Sequence, residues 1–205
     1  RTKKLMENQD KKRDRIIDVA QKRFAHYGLS KTTMNEIADD LSMSKALLYY
    51  YFPDKNSLYF AVLEKLFNEH FDEMQEEVQK TDSSAESLTI YLHKRHDFIK
   101  KYFILLEFNK NFSENLAQMK NRFGEIRIKE QAFLTRILTE GAKSGEFKIK
   151  DPKKIEELIF DSLIGIRLVV LENYSNTLQP DDTQFNMILE KQQLLTELII
   201  KGLKG

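Results

Sequence analysis

Apolar residues recur every three or four positions along almost the whole chain, which is the spacing of one face of an α-helix. The first such stretch runs over residues 16–27, and Gly28 follows it with the residue type that ends helices in a left-handed conformation. No stretch shows the strict alternation of apolar and polar residues that a half-buried strand would need. The pattern therefore predicts an all-α protein.

Capping residues place the starts of the N-terminal helices. Thr33 and Glu36 have the spacing of a capping box, which predicts a short second helix through Leu41. Ser44 is the expected N-cap of a third short helix, which Pro53 ends because a residue before proline is pushed out of the α region. A long fourth helix follows.

The remaining helices are predicted from the same signals, and all three prolines fall at helix boundaries. Gly124 is expected to break one helix from the next, and Gly145 to end the seventh. The fifth to ninth helices are predicted over residues 84–106, 113–123, 125–143, 152–174 and 181–200, which makes nine helices in all.

Composition narrows the class of protein without identifying it. The 205 residues include no Cys, which excludes thiolate metal sites, disulfide scaffolds and cysteine nucleophiles. Residues 1–55 carry 12 Lys and Arg against 8 Asp and Glu, whereas residues 56–205 carry 21 against 24. A basic N-terminal part on an acidic body suggests a polyanionic partner for that part, although a solvated charged surface explains the same asymmetry. No membrane segment or signal peptide is evident, and we expect a cytoplasmic protein.

The first three helices, the last two of which are joined by a tight turn, form a predicted helix-turn-helix. The second helix would lie against the DNA backbone, with Thr33 near a phosphate, and the third would enter the major groove. On that third helix Leu48, Tyr51 and Phe52 share an inward face. The exposed face would then carry Lys45, Ala46, Tyr49 and Tyr50, and aromatic rings beside a cation suit a nucleic-acid surface. Lys55 adds a possible phosphate contact.

Residues 12–60 resemble the DNA-binding domain of the TetR (tetracycline-repressor) family, because about fifteen positions match at fixed spacing. The resemblance implies a DNA-binding domain over residues 1–55, which includes a basic N-terminal extension, and a ligand-binding and dimerisation domain over residues 56–205. It also implies DNA contacts from Thr32, Thr33, Ser44, Lys45, Ala46, Leu47, Tyr49, Tyr50 and Lys55. The matching residues are Ile16, Ile17, Ala20, Phe24, Gly28, Thr32, Thr33, Ile37, Ala38, Ser44, Lys45, Leu48, Tyr49, Tyr51, Phe52, Lys55 and Leu58.

Three positions depart from the family pattern. Ser42 stands where the family usually has Gly, so we expect a left-handed, mildly strained backbone there. Ala46 and Leu47 replace a frequent Gly and Thr, which removes a hydroxyl contact to phosphate. Tyr50 replaces a frequent His or Asn and changes what a base edge would meet. These changes bear on the operator sequence rather than on the mode of binding.

Phenylalanine is concentrated in the second part of the chain, where 12 of the 14 lie beyond residue 55. Ordinary core packing accounts for each ring taken singly, whereas together the rings suggest a pocket for an apolar or aromatic small molecule. Arg167 stands between Ile166 and Leu168, so it either reaches solvent or pairs with an anion, such as a ligand carboxylate. The predicted ligand-binding residues are Phe67, Phe71, Tyr102, Phe103, Phe133 and Arg167.

Two apolar stripes on the eighth and ninth helices predict a four-helix interface with a second copy of the chain, although closing the monomer's own core explains them too. Gly165 would let the helices approach closely. The predicted dimer-interface residues are Ile159, Ile166, Val169, Val170, Ile188, Leu195 and Ile199.

No metal site, cofactor site or enzymatic motif is predicted; His93 and His96 alone have ligand-like spacing. The function expected from these observations is a homodimeric, ligand-responsive repressor that binds a palindromic double-stranded DNA operator. The alternative from another class is a helical protein–protein interaction module that no longer binds DNA. A helical-bundle enzyme is a more distant possibility.

Overall fold

The structure is a computed structural model that describes residues 2–106, 116–174 and 180–204. Over these ranges the chain forms helices and no strand, in agreement with the predicted all-α class. The helices are α1 (Thr2–Lys31), α2 (Met34–Asp40), α3 (Lys45–Tyr51), α4 (Lys55–Val78), α5 (Ser84–Lys101), α6 (Phe103–Leu106), α7 (Leu116–Ser144), α8 (Pro152–Tyr174) and α9 (Asp182–Lys204).

The helices form two compact units, and the chain passes from one to the other within α4. Unit 1 comprises Arg1–Glu69 and Tyr102–Leu116, and unit 2 comprises His70–Lys101 and Ala117–Gly205. The first half of α4 belongs with unit 1 because Leu58 and Val62 are fully buried there, together with Ile16 and Phe24 of α1. This division follows packing, whereas the expected domain boundary at residue 55 separates the part expected to bind DNA from the part expected to bind the ligand and the second subunit.

The core of unit 1 is anchored by an aromatic contact and a buried hydroxyl. The rings of Phe24 and Tyr59 meet edge to face with their centroids 5.6 Å apart. The Tyr59 hydroxyl donates a hydrogen bond to the Leu105 carbonyl at 2.6 Å, which ties α4 to α6. Burial raises the pKa of Tyr59, so the hydroxyl stays a donor.

Gly28 breaks the regular path of α1 at the predicted position, with an extended ψ rather than the expected left-handed helical conformation. Its φ of 77° and ψ of 165° lie outside the helical region and are accessible mainly to glycine. One further helical turn then continues to Lys31. At the other end α1 already begins at Thr2, so the basic extension is helical over its described residues.

The core of unit 2 lies between α5, α7, α8 and α9. Its fully buried side chains include Tyr91, Leu92, Leu134, Leu138 and Leu163. The connection from α7 to α8 begins at Gly145, whose φ of 79° ends α7 as predicted. Phe147 then folds back onto α7, where its amide donates to the Gly141 carbonyl at 2.9 Å.

Two predicted helix boundaries are wrong. The fifth helix ends at Lys101 rather than continuing through Phe103, and a separate four-residue helix follows. The last turn of α5 contains two lysines, which interact favourably with the negative end of the helix dipole. These lysines could have indicated from the sequence that the helix ends here. Gly124 does not break α7, because one helical glycine costs only about 1 kcal/mol and the apolar face of this helix continues past it. Residues 113–115 of the expected sixth helix lie outside the described part of the chain.

Among the helices of the described residues, none combines the length and the apolarity needed to cross a membrane.

Candidate nucleic-acid interface and ligand site

The α2–turn–α3 segment is built by local hydrogen bonds that the sequence specifies. Thr33 and Glu36 form the predicted capping box: the Glu36 amide donates to Thr33 Oγ1 at 3.3 Å, and the Thr33 amide donates to Glu36 Oε2 at 2.8 Å. At the other end the Met43 amide donates to the Ala38 carbonyl at 2.9 Å and the Ser42 amide to the Asp39 carbonyl at 3.0 Å. These two bonds are the pattern of a Schellman motif.

Ser42 adopts the left-handed conformation that the Schellman motif requires, with a φ of 50°. This confirms the expectation drawn from the departure at that position. An L-residue with a Cβ atom pays about 1 kcal/mol or more there, whereas glycine pays nothing for sterics. The turn is therefore formed at a cost that the surrounding packing offsets.

The burial pattern of α3 determines which residues reach a ligand. Ser44 caps the helix by accepting the Leu47 amide hydrogen on Oγ at 3.3 Å. Leu48 and Phe52 are buried and Tyr51 is half-buried, so these three side chains pack α3 against the rest of unit 1. The exposed residues are Ser44, Lys45, Ala46, Leu47, Tyr49 and Tyr50, in which Tyr50 is 71% and Tyr49 is 45% exposed.

Two of the predicted DNA-contacting residues have other roles in the structure. Thr32 is completely buried, and its hydroxyl donates to the Gly28 carbonyl at 2.9 Å, so its prediction as a DNA contact is wrong. Lys55 donates from Nζ to the carbonyls of Leu29 at 2.8 Å and Thr32 at 3.0 Å. Its ammonium therefore caps the end of α1, which leaves one N–H for a phosphate.

Ion pairs orient α1 against α2 and α4. The Arg23 guanidinium contacts both carboxylate oxygens of Asp40, with Nη2 at 3.1 Å from Oδ1, and lies 3.5 Å from Glu36. Lys65 on α4 pairs with Asp18 on α1. Their side chains are between 22% and 51% exposed, so solvent screens these pairs and they contribute orientation more than stability.

Unit 2 contains a buried ion pair that the sequence did not reveal. Arg95, which is only 6% exposed, donates from Nε to Glu130 Oε1 at 2.6 Å, and the Tyr91 hydroxyl donates to the same oxygen at 3.1 Å. Burial alone would lower the pKa of Arg95, but Glu130 outweighs burial and the pKa is raised. The Arg95 guanidinium also lies over the Phe160 ring, 5.6 Å from its centroid. The missed signal was a charged residue at a core position of α5, one turn after Tyr91.

Arg167 lies close to this pair and adds a second positive charge. Its side chain is half-buried, and the described residues provide it with no hydrogen bond or ion pair. Its pKa is lowered to about 10, because burial and the charge of Arg95 disfavour the cation, while Glu130 favours it. Arg95 and Arg167 thus both act on Glu130, and of the two only Arg95 is hydrogen-bonded to it.

The six predicted ligand-binding residues are divided between the units. Phe67, Tyr102 and Phe103 belong to unit 1, and Phe71, Phe133 and Arg167 belong to unit 2. Within unit 2, Phe133 is buried and stacks on Tyr91 with centroids 6.4 Å apart, while Phe71 packs against the core. His70 stacks on Phe98 at 4.2 Å and, mainly through burial, has its pKa lowered to about 4.

The predicted dimer stripe is displaced from the surface that the structure exposes. Three of the predicted interface residues are buried inside unit 2, so their prediction is wrong: Ile159, Val170 and Ile188. Of the other four, Val169 is exposed, and the half-buried ones are Ile166, Leu195 and Ile199. The physical reason is that α8 and α9 are apolar on more than one face, and one face closes the subunit's own core. The outward apolar side chains are Leu158, Leu168, Val169, Leu194 and Leu198.

The histidines of α5 have structural partners in α9. His93 Nε2 is 3.1 Å from Gln193 Nε2, and the His96 ring meets Phe185 edge to face. In the part of the chain that the structure describes, no three His, Asp or Glu residues group closely enough to hold a metal ion.

Comparison with known proteins gives the family. The sequence profile described as bacterial regulatory proteins, tetR family, matches residues 16–62. The transcriptional regulator YhgD of Bacillus subtilis is 30% identical over 150 residues, which are 67% of this chain and 73% of that protein. The transcriptional repressor KstR2 of Mycolicibacterium smegmatis is 27% identical over 139 residues, which cover 67% and 68% of the two chains.

A solved structure extends the likeness over almost the full length. The transcriptional regulator from Cytophaga hutchinsonii superposes with a TM-score of 0.84 at 33% identity, over 94% of this chain and 98% of that one. The helix-turn-helix geometry, the family profile and this full-length likeness agree. The chain belongs to the TetR family of bacterial transcriptional regulators, which are DNA-binding proteins and not enzymes.

Proposed function

We propose that the chain is a homodimeric repressor that leaves its operator when a small molecule binds unit 2. The observation that carries the proposal is the outward face of α3, where exposed tyrosines stand beside Lys45 on a helix whose other side is anchored by Leu48 and Phe52. Exposed rings are costly in water and find a natural partner in the major groove. In the division of roles that we propose, residues 1–55 bind DNA and residues 56–205 bind the effector and the second subunit.

The second subunit binds through the outward faces of α8 and α9. Leu158, Leu168 and Val169 on α8 and Leu194 and Leu198 on α9 are all more than half exposed in the single chain. Gly165 lies on the same side of α8, and a Cβ added to it would meet no atom within 4 Å in the part of the chain that the structure describes. A twofold pairing of these faces would bury the apolar side chains and present two α3 helices about 34–36 Å apart, for the half-sites of a palindromic operator.

The effector would be an apolar or aromatic molecule with an anionic group. Unit 2 would bind it, and binding would take place in the cytoplasm. Arg167 supplies the argument, because its half-buried guanidinium forms no hydrogen bond or ion pair with the described residues, while nearby Glu130 is already hydrogen-bonded to Arg95. A guanidinium binds a carboxylate through two parallel hydrogen bonds, and burial strengthens that attraction. Phe133 and Phe71 belong to the same unit as Arg167 and would contact the apolar part.

Release from DNA follows if the effector binds better to a conformation in which the two α3 helices no longer match the half-site spacing. The effector can shift that equilibrium only by the ratio of its affinities for the two conformations. A carboxylate paired with Arg167 in one conformation and not in the other would supply such a difference.

Two measurements test the proposal. In a gel shift with fragments of the source genome, we expect affinity that falls steeply with salt, as phosphate contacts require. In a screen of amphiphilic acids against the DNA-bound protein, acids that release DNA should lose their effect in the Arg167→Met variant, whereas DNA affinity without the acid should be unchanged. Absence of DNA binding at low salt would instead favour a helical interaction module. Release by the same acids in Arg167→Met would remove that residue from the site.

A further inference from the structure

The most outward side chains of α3 carry no amide or guanidinium group. Successive residues of an α-helix are rotated by about 100°, so the side opposite the buried Leu48 and Phe52 is occupied by Ala46, Leu47 and Tyr50. All three are exposed in the structure. Two of these side chains are purely apolar, and the third combines an apolar ring with one hydroxyl.

The other polar groups of α3 lie away from this line or are already used. Lys45 and Tyr49 lie together on one flank of the helix, where a phosphate backbone would run. The Ser44 hydroxyl caps the helix by accepting the Leu47 amide hydrogen. The helix contains no Arg, Asn, Gln, Asp or Glu, so Lys45 on the flank is its one side chain of the types that pair with guanine, adenine or cytosine edges in the major groove.

Thymine is the base whose major-groove edge presents an apolar group, its C5-methyl. Resting on the proposed placement of α3 in the major groove, we propose that Ala46, Leu47 and Tyr50 recognise thymine methyl groups in each operator half-site. Sequence would then be read by apolar contact at these positions, and the phosphates would be bound by the flank that carries Lys45.

The position of Tyr50 is suited to this role. Its ring meets the half-buried ring of Tyr51 edge to face, with centroids 5.4 Å apart and an interplanar angle of 87°. A ring already oriented in the free protein loses less freedom when it contacts DNA. Tyr50 therefore offers a fixed apolar edge beside Leu47, and its hydroxyl remains able to bond a neighbouring base or phosphate.

The test uses DNA in which only the methyl group changes. Operator half-sites are selected from a randomised duplex pool with the full chain, and each thymine of the selected half-site is then replaced by deoxyuracil, which keeps the base-pairing edge. Dissociation constants are measured at one fixed salt concentration. We expect at least one position where the loss of the methyl weakens binding about fourfold, the factor that corresponds to burying one such group.

Two variants assign the effect to α3. Leu47→Ala or Tyr50→Ala should bring the ratio of the uracil and thymine dissociation constants close to one at the affected position. Lys45→Ala is the matched control, because it should weaken binding to both duplexes equally and leave the ratio unchanged.

The outcomes separate this proposal from the one on which it rests. Selected half-sites without thymine, or unchanged affinity at every uracil substitution, would overturn methyl recognition while DNA binding stands. If no sequence is enriched from the pool, sequence-specific DNA binding fails and methyl recognition fails with it. A uracil effect that persists in Ala46→Gly, Leu47→Ala and Tyr50→Ala alike would assign the methyl contact to another part of the protein.

Discussion

The Phe147 ring occupies the space directly beside Gly141: a Cβ atom on that glycine would lie 2.2 Å from Cδ2 of the ring and 2.9 Å from Cβ of Ser84. Glycine is therefore required on α7 for the α7–α8 connection to close over the start of α5. Glu146, next to Phe147, then accepts hydrogen bonds from Ser83 Oγ at 2.8 Å and from the Ser84 amide at 2.6 Å. Three helices of unit 2 meet at this point, because Lys204 of α9 lies 3.4 Å from the same carboxylate.

Gly141→Ala should destabilise the protein by about 1–3 kcal/mol, the usual cost of overpacking a filled core. The measurement is the urea midpoint followed by circular dichroism. Gly124→Ala is the matched control, because a Cβ there meets no atom of the described residues within 4 Å and alanine is the better helix former. Equal midpoints for the two variants would contradict the close approach of Phe147.

The contribution of Glu146 to stability should disappear in acid. Burial by itself would raise the pKa of Glu146, but hydrogen bonds from Ser83, Ser84 and Ala85 outweigh burial and the pKa lies below its ordinary value of 4.5. A carboxylate with a lower pKa in the folded chain stabilises fully above its unfolded value and loses that contribution as pH falls through the folded value. Between pH 7 and pH 3 the urea midpoint of the parent should thus fall more than that of Glu146→Gln. Parallel pH profiles would remove Glu146 as the cause.

Removing one charge of the Arg95–Glu130 pair should lower the free energy of unfolding more than removing both charges. Arg95→Met leaves Glu130 with the Tyr91 hydroxyl as its hydrogen-bond donor and Arg167 as a nearby cation, and loss of one partner of a buried pair typically costs about 3–5 kcal/mol. The double variant Arg95→Met/Glu130→Leu should recover part of that loss. Free energies of unfolding from a double-mutant cycle measure the coupling. Additive single effects would show that the two charges are not coupled.

Substitution of Lys45 should change DNA binding, whereas substitution of Lys55 should chiefly change stability. Lys45 is exposed on α3, so Lys45→Ala should make the slope of log K against log salt shallower by about 1. Lys55 donates to the Leu29 and Thr32 carbonyls, so Lys55→Met should chiefly lower thermal stability. The readouts are binding titrations at four salt concentrations and the melting temperature. An unchanged melting temperature in Lys55→Met would contradict the capping role.

A charge on the outward face of α8 or α9 should give monomers. Leu168 is 56% and Leu198 is 59% exposed in the single chain, so glutamate at either position need not disturb folding, yet it would place a charge in the proposed seam. Sedimentation velocity of Leu168→Glu and Leu198→Glu is the measurement, and operator affinity should fall with the loss of the second half-site contact. Ile128→Glu on α7, at an equally exposed residue, should remain dimeric. Dimers in both test variants would place the interface elsewhere.

The sequence by itself determined the helix-turn-helix, because its signals are local. The Thr33–Glu36 capping box, the Ser44 cap and Pro53 act within a few residues of where they stand, and the structure confirms the first two by hydrogen bonds. The apolar spacing on α3 also identified Leu48 and Phe52 as its anchored side. The all-α class followed from the same short-range information.

Only the tertiary structure decided what depends on partners distant in sequence. Thr32 and Lys55 match the family string, yet the Thr32 hydroxyl bonds the Gly28 carbonyl, and the Lys55 ammonium bonds the Thr32 carbonyl and the Leu29 carbonyl, which is 26 residues away. Arg95 finds Glu130 35 residues away, and periodicity cannot show such a pairing. On α8 and α9 apolar residues cover more than one face. Which face packs inward is set by the fit against α5 and α7, and so the pattern alone misassigned Ile159, Val170 and Ile188.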